Sequence, residues 1–186
     1  MTGTTATRMA VGAARQRGAY AVEFALVFGL FFLVLYGVLT YGLIFTAQQS
    51  LNLAAEDGAR AALRWQAGAG DASLAARAGH AADVARTRAD WLGRVGGGAS
   101  LNVVVCAGQG PGKTVLAGAG GAQCSAQPLQ QGQIEVLVRY DYRRAPLVPE
   151  LLGPLAVLTP AALVGRATVC MGTAWGFTQT CRDAAA

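Results

Sequence analysis

Two groups of residues in this chain have the types and spacing of working chemistry. The first is Ala107-Gly108-Gln109-Gly110-Pro111-Gly112-Lys113-Thr114, a small residue, four intervening positions and then Gly-Lys-Thr, which fits a relaxed phosphate-loop pattern. Such a loop holds phosphates with backbone N–H groups and a lysine, provided that a helix starts at the lysine and an acid elsewhere holds magnesium. Asp141 could imitate that acid, but Val115-Leu116 runs into Ala117-Gly118-Ala119-Gly120-Gly121, a poor helix former. In a chain with 25 glycines the match carries little weight. A nucleotide hydrolase is therefore a rival reading only, and no nucleotide partner is expected.

The second group is Arg17-Gly18-Ala19-Tyr20-Ala21-Val22-Glu23-Phe24, where one carboxylate stands at the entrance of a long uncharged run. An ionised carboxylate inside a bilayer costs several kcal/mol unless it finds a partner. A cut between Gly18 and Ala19 would create one, because the new α-amino group of Ala19 lies four residues before Glu23, about one helical turn away. That amine can meet Glu23 of its own chain or, with an axial stagger, of a neighbouring chain. If instead the helix enters the membrane shallowly, Glu23 sits among headgroups and needs no such partner.

The remaining candidates are weaker. His80, the single histidine, has no nucleophile near it in sequence and reads as a surface or partly packed side chain on a helix. Trp65, Trp91 and Trp175 read as core or membrane-interface anchors. Cys106, Cys124, Cys170 and Cys181 lack a CxxC spacing and have no second histidine to join them, so no metal site and no cofactor are expected. Four cysteines in an oxidising compartment read as two disulfides with three connectivities open; proximity in sequence favours Cys106–Cys124 and Cys170–Cys181.

These residues need elements to hold them. Phe24–Ala47 contains no charged residue, and its 24 residues reach roughly 36 Å as a helix, enough to cross a hydrocarbon core of about 30 Å. A secretory signal has a shorter apolar region, about 7–15 residues, and no acid at its entrance. Arg8, Arg15 and Arg17 precede the run with no acid among them, which orients the helix with its N-terminus cytoplasmic and the rest of the chain outside. The formal charge of +5 falls to +2 without these three arginines, and the rest are interspersed with acids, so no phosphate-neutralising stripe survives and nucleic acid is not an expected partner.

After Gln48 the apolar positions become periodic, with Leu51, Ala55, Gly58 or Ala59, Ala62 and Trp65 on one side of an amphipathic stalk. Gln66–Gly70 interrupts it, and Asp71 is placed to cap a second helix whose inner face carries Leu74, Ala78, Ala81, Val84 or Ala85, and Trp91. Beyond Gly96-Gly97-Gly98 the composition turns to β-branched runs. Leu101–Val105, Ile134–Tyr142, Gly165–Met171 and Trp175–Thr178 are expected strands, with Glu135, Leu137, Arg139 and Asp141 on the face of the second opposite to Ile134, Val136, Val138 and Tyr140. Ala107–Gln133 is expected to be an exposed loop pinned by Cys106 and Cys124. The fold class is α+β: a long N-terminal transmembrane and stalk helix, a second amphipathic helix, and a small, mainly antiparallel sheet packed on the helices. The domains read as a basic leader (1–18), a transmembrane helix (19–47), a helical stalk (48–95) and a β-rich domain (96–186).

The stretch from Arg17 to Leu26, the apolar span, and Asn52-Leu53-Ala54-Ala55-Glu56-Asp57-Gly58-Ala59-Arg60 together resemble the TadE-like pseudopilins of the Tad (tight adherence, Flp type IVb) pilus system. TadF and the N-terminal part of TadG share the same leader and span. The resemblance implies cleavage after Gly18 by a prepilin peptidase, Ala19 as mature N-terminus, and Glu23 and Phe24 as residues of helix pairing and assembly. It further implies a non-enzymatic minor pilin-like component, anchored in the bacterial inner membrane with a periplasmic domain. Its partners would be the lipid bilayer, the peptidase, other Tad pilins and pseudopilins, and the inner-membrane platform, and its role the assembly or initiation of a pilus used for adherence or secretion. The competing reading is an uncleaved, single-pass, membrane-tethered binding or adhesion domain.

Overall fold

Forty-seven consecutive residues, Gln16–Ala62, form helix α1. The computed structural model describes residues 16–64, 70–95, 101–109, 112–119, 122–148 and 159–171. Two compact units, Met1–Tyr41 and Gly42–Ala186, divide the chain within α1. In the first unit every side chain from Gly18 to Leu35 is exposed, although this is the most apolar part of the chain, with mean hydropathy 2.4 and none of it buried. Apolar surface of this length cannot remain in water, and a helix that satisfies its own backbone hydrogen bonds is one of the two structures that can span a bilayer. A single N-terminal apolar helix of this kind fits single-pass membrane anchoring.

In the second unit the burial of α1 becomes one-sided, as the periodicity predicts. Ile44, Ala47, Leu51, Ala54, Ala55, Ala59 and Ala62 are buried, while Phe45, Leu53 and Arg60 between them are exposed. Helix α2, Gly70–Val95, starts one residue before Asp71. It buries Ala78, Ala81, Ala82, Ala85, Ala89 and Leu92, and Leu74 and Trp91 pack at the margin of the same core. Both helices thus offer alanine where globular helices usually offer leucine, which lets backbones approach closely at a small cost in buried area.

Four strands follow, β1 (Leu101–Gln109), β2 (Gly112–Ala117), β3 (Gln133–Tyr140) and β4 (Leu163–Cys170). They form one antiparallel sheet in the order β2-β1-β3-β4. In register, Val103 faces Val138 and Val105 faces Val136, and Val138 in turn faces Gly165. These side chains, with Ile134 and Tyr140, join the alanines of α1 and α2 in one core. Gly165 is required there: a Cβ at that position would land on the Leu51 carbonyl of α1. Gly58 is equally constrained, since a Cβ would stand 3.0 Å from both the Ala81 carbonyl and the Ala85 methyl of α2. Polar contacts fix the same packing, with Gln48 Nε2 donating to the Val164 carbonyl at 2.7 Å and Trp91 Nε1 donating to Ser50 Oγ at 2.8 Å.

Ala107–Gln133 is not one exposed loop. β1 continues to Gln109 and pairs back on β2, Gly108 opposite Lys113 and Ala107 opposite Thr114, because Thr114, Val115 and Leu116 suit a pleated strand better than the glycines around them suit a free loop. The part after β2 returns beneath the sheet. Leu129, Ala122 and Cys124 cover Val104, Cys106 and Leu137 on the face away from the helices, and the disulfide Cys106–Cys124, with Cα atoms 6.0 Å apart, fastens this cover. Glu135, expected on the polar face, is for that reason fully buried. Cys170 is also disulfide-bonded; Cys181, Trp65, Trp175 and the expected strand Trp175–Thr178 lie outside the described residues.

Removing the cover's covalent fastening destabilises the domain. A Cys106→Ala/Cys124→Ala variant of the full-length protein in detergent is expected to lose about 2–4 kcal/mol, as for a loop of this length. An unchanged melting temperature in that variant would show that the bridge contributes nothing to stability.

Candidate functional site

Gly18, Ala19, Glu23 and Phe24 all lie within α1 and are all exposed. Ala19 and Glu23 are four residues apart, hence on one face and separated by about 6 Å along the axis. No heavy atom lies within 4 Å of where a Gly18 Cβ would stand, beyond the helix itself. Phe24 stacks on Phe28 one turn later, with ring centroids 5.8 Å apart and planes at 21°. Among the described residues Glu23 forms no ion pair. The geometry presents a lone carboxylate, an accessible glycine and an aromatic pair at the head of an apolar helix, all directed outward.

The phosphate-loop pattern is not assembled into a phosphate site. Lys113 sits in β2, not at the start of a helix, and its amine donates to the Ser125 carbonyl. His80 is half-buried on α2, beside Val84 and Arg88. Among the described residues no three His, Cys, Asp or Glu side chains converge as metal ligands would.

Sequence reasoning missed the ion pair of Glu135 with Arg166. Glu135 on β3 faces Cys106 and Thr168, and Arg166 on β4 faces Leu137, so the two are diagonal neighbours on the covered side of the sheet. The Glu135 side chain is fully buried and that of Arg166 is 28% exposed. Neither carboxylate oxygen has a well-directed hydrogen bond to a described group, so the guanidinium charge is what compensates the carboxylate. An arginine in the otherwise uncharged strand Leu163–Cys170 was the available signal; alternation alone placed Glu135 in solvent.

Residues 18–60 match the family model described as TadE-like protein. No curated protein and no solved structure matches the chain. The segment that carries the exposed carboxylate and the apolar helix is therefore similar to that of TadE-like proteins, over residues 18–60 of the chain. TadE-like proteins are typically structural and not enzymatic.

For the buried pair, truncating the cation strands the anion. Arg166→Ala is expected to cost about 3–5 kcal/mol, and adding Glu135→Gln should restore part of the loss because no uncompensated charge remains. Thermal melts of the three proteins test this; a double variant less stable than Arg166→Ala would contradict it.

Proposed function

We propose that this chain is a minor pseudopilin of the Tad pilus. A prepilin peptidase cuts it between Gly18 and Ala19, and it supports assembly or initiation of the fibre through its N-terminal helix. The observation that carries this reading is the placement of Glu23 one turn from Ala19 at the head of an exposed, uncharged stretch of helix, 24–35, within the segment similar to TadE-like proteins. Cleavage requires the backbone at the junction to leave its helical conformation. The released α-amino group then offers Glu23 a positive partner, either in the same chain or in an adjacent helix, where the pair would set the axial register. The basic leader stays cytoplasmic, the span crosses the inner membrane, and residues 48–186 lie in the periplasm, where disulfides persist. The chain partners the bilayer, the peptidase, other Tad pilins and the inner-membrane platform, and catalyses nothing itself.

The deciding measurement is the N-terminal residue of the protein purified from its native membranes, by intact mass. A start at Ala19 is expected, and Gly18→Arg should abolish it and leave the full-length chain; a start at Met1 or Thr2 in the wild type would leave an uncleaved tethered domain. Glu23→Ala should insert and be cleaved normally yet recover fewer partner pilins on co-purification. Unchanged pilus assembly in that variant would remove the charge-pairing argument while leaving the processing argument intact.

A further inference from the structure

Several elements of the second unit begin or end at one level of α1. Gln48 Nε2 reaches the Val164 carbonyl at the start of β4; next to it Leu163 pairs with Tyr140 at the end of β3, and Tyr140 with Leu101 at the start of β1. The end of α2 comes to the same place, since Trp91 Nε1 donates to Ser50 Oγ and a Cβ on Gly93 would stand 3.7 Å from Leu101 Cδ2. Farther along α1, Gly58 lies against Ala81 and Ala85 of α2 and Val136 of β3, which fixes the direction of both elements. α2 and β3 therefore run toward the end of the unit at which α1 enters it. That level has a physical meaning for a single-pass anchor. Counted from Phe24, about 20 helical residues cover a hydrocarbon core of about 30 Å and finish near Leu43, so the next turn, Ile44–Gln48, falls at the depth of lipid headgroups.

The charges at this end are unbalanced. Arg94 near the end of α2, Arg139 near the end of β3, and Arg143 and Arg144 in the turn that follows are all exposed. The turn is held by its own bonds, Arg143 N–H to the Ala161 carbonyl, Ala145 N–H to the Asp141 carbonyl and the Tyr140 hydroxyl to the Ala145 carbonyl. Asp90 meets Arg94 at 3.1 Å and Asp141 meets Arg144 at 3.5 Å, whereas Arg139 and Arg143 form no ion pair among the described residues. Four arginines against two aspartates leave this end at +2. Val95, 63% exposed, adds an apolar side chain beside them. Farther from the entry of α1 the signs are mixed, with Arg60 between Glu56 and Asp57 and Arg86 on Asp83. We propose that this end of the second unit is a foot that rests on the bilayer and binds anionic phospholipid headgroups, their phosphates taken by Arg139 and Arg143. The chain itself selects the occupant, because α1 leaves the unit at this end as an apolar run, and a planar guanidinium matches a phosphate two N–H groups at a time. The inference rests on single-pass anchoring by α1 and is independent of cleavage at Gly18 and of the pilus reading.

Amide hydrogen exchange over residues 141–148 reads the contact locally. Full-length protein is reconstituted in nanodiscs of phosphatidylcholine alone and of phosphatidylcholine with an equal share of phosphatidylglycerol. Exchange is expected to slow about fivefold or more in the anionic discs, as for one or more basic side chains engaged at a charged surface. An Arg139→Gln/Arg143→Gln protein, which breaks no described ion pair, should exchange in the anionic discs at the phosphatidylcholine rate, and Arg139→Lys/Arg143→Lys should keep most of the slowing. The basic residues Arg8, Arg15 and Arg17 are present in all three proteins and cannot account for a difference among them. Equal exchange of the wild type in the two kinds of disc, or slowing that survives in the glutamine variant, would each overturn the proposal.

Discussion

Contact between backbones, with almost no side chain in between, governs the second unit. Leu51 of α1 rests on Gly165 of β4, and Gly58 of α1 rests on Ala81 and Ala85 of α2. Packing this close gains dispersion contacts from many small neighbours, and it tolerates little added volume because Gly165 meets the Leu51 main chain and Gly58 meets the Ala81 carbonyl and the Ala85 methyl. It also explains the alanine bias of both helices: a leucine at Ala55 or Ala81 would hold the layers apart and break the hydrogen bonds that Gln48 and Trp91 make across the same seam. α1 therefore obeys two composition rules in one continuous element. It has large apolar side chains on every side up to about Leu35, and small ones on a single side from Ile44 onward.

The sheet divides its two faces between different kinds of stability. The face toward the helices is a conventional core of valine, isoleucine and tyrosine. The other face is closed by a segment with few large side chains of its own, and its centre holds a buried carboxylate. An arrangement of this kind contributes less by burial than by exclusivity, since Glu135 is tolerable only when Arg166 of the last described strand has arrived and the cover is in place. Correct pairing of β3 with β4 is thereby coupled to correct closure of the cover.

Much of this architecture was legible in the residues. The uncharged run after Glu23, the shift to helical periodicity at Leu51, and the alternation in Ile134–Tyr140 each report one dominant physical demand, and each element formed where that demand pointed. Gly112–Ala117 was missed because six residues among glycines carry too weak a local preference; its strand character comes from pairing with Val105–Gln109, which only the folded chain supplies. Glu135 was misplaced for a related reason. Alternation distinguishes two faces of a strand but not whether both are covered.

The bridge between Cys106 and Cys124 has a topological meaning beyond its energy. β2 lies wholly between the two cysteines, so the border strand of the sheet is threaded into a closed covalent ring with the end of β1. A sheet border is ordinarily the strand most easily surrendered to a neighbouring molecule, by exchange between copies or by edge-to-edge accretion. Here the border strand is captive: while the ring is intact β2 cannot be carried far from β1, and molecules crowded side by side in a membrane are kept from exchanging it.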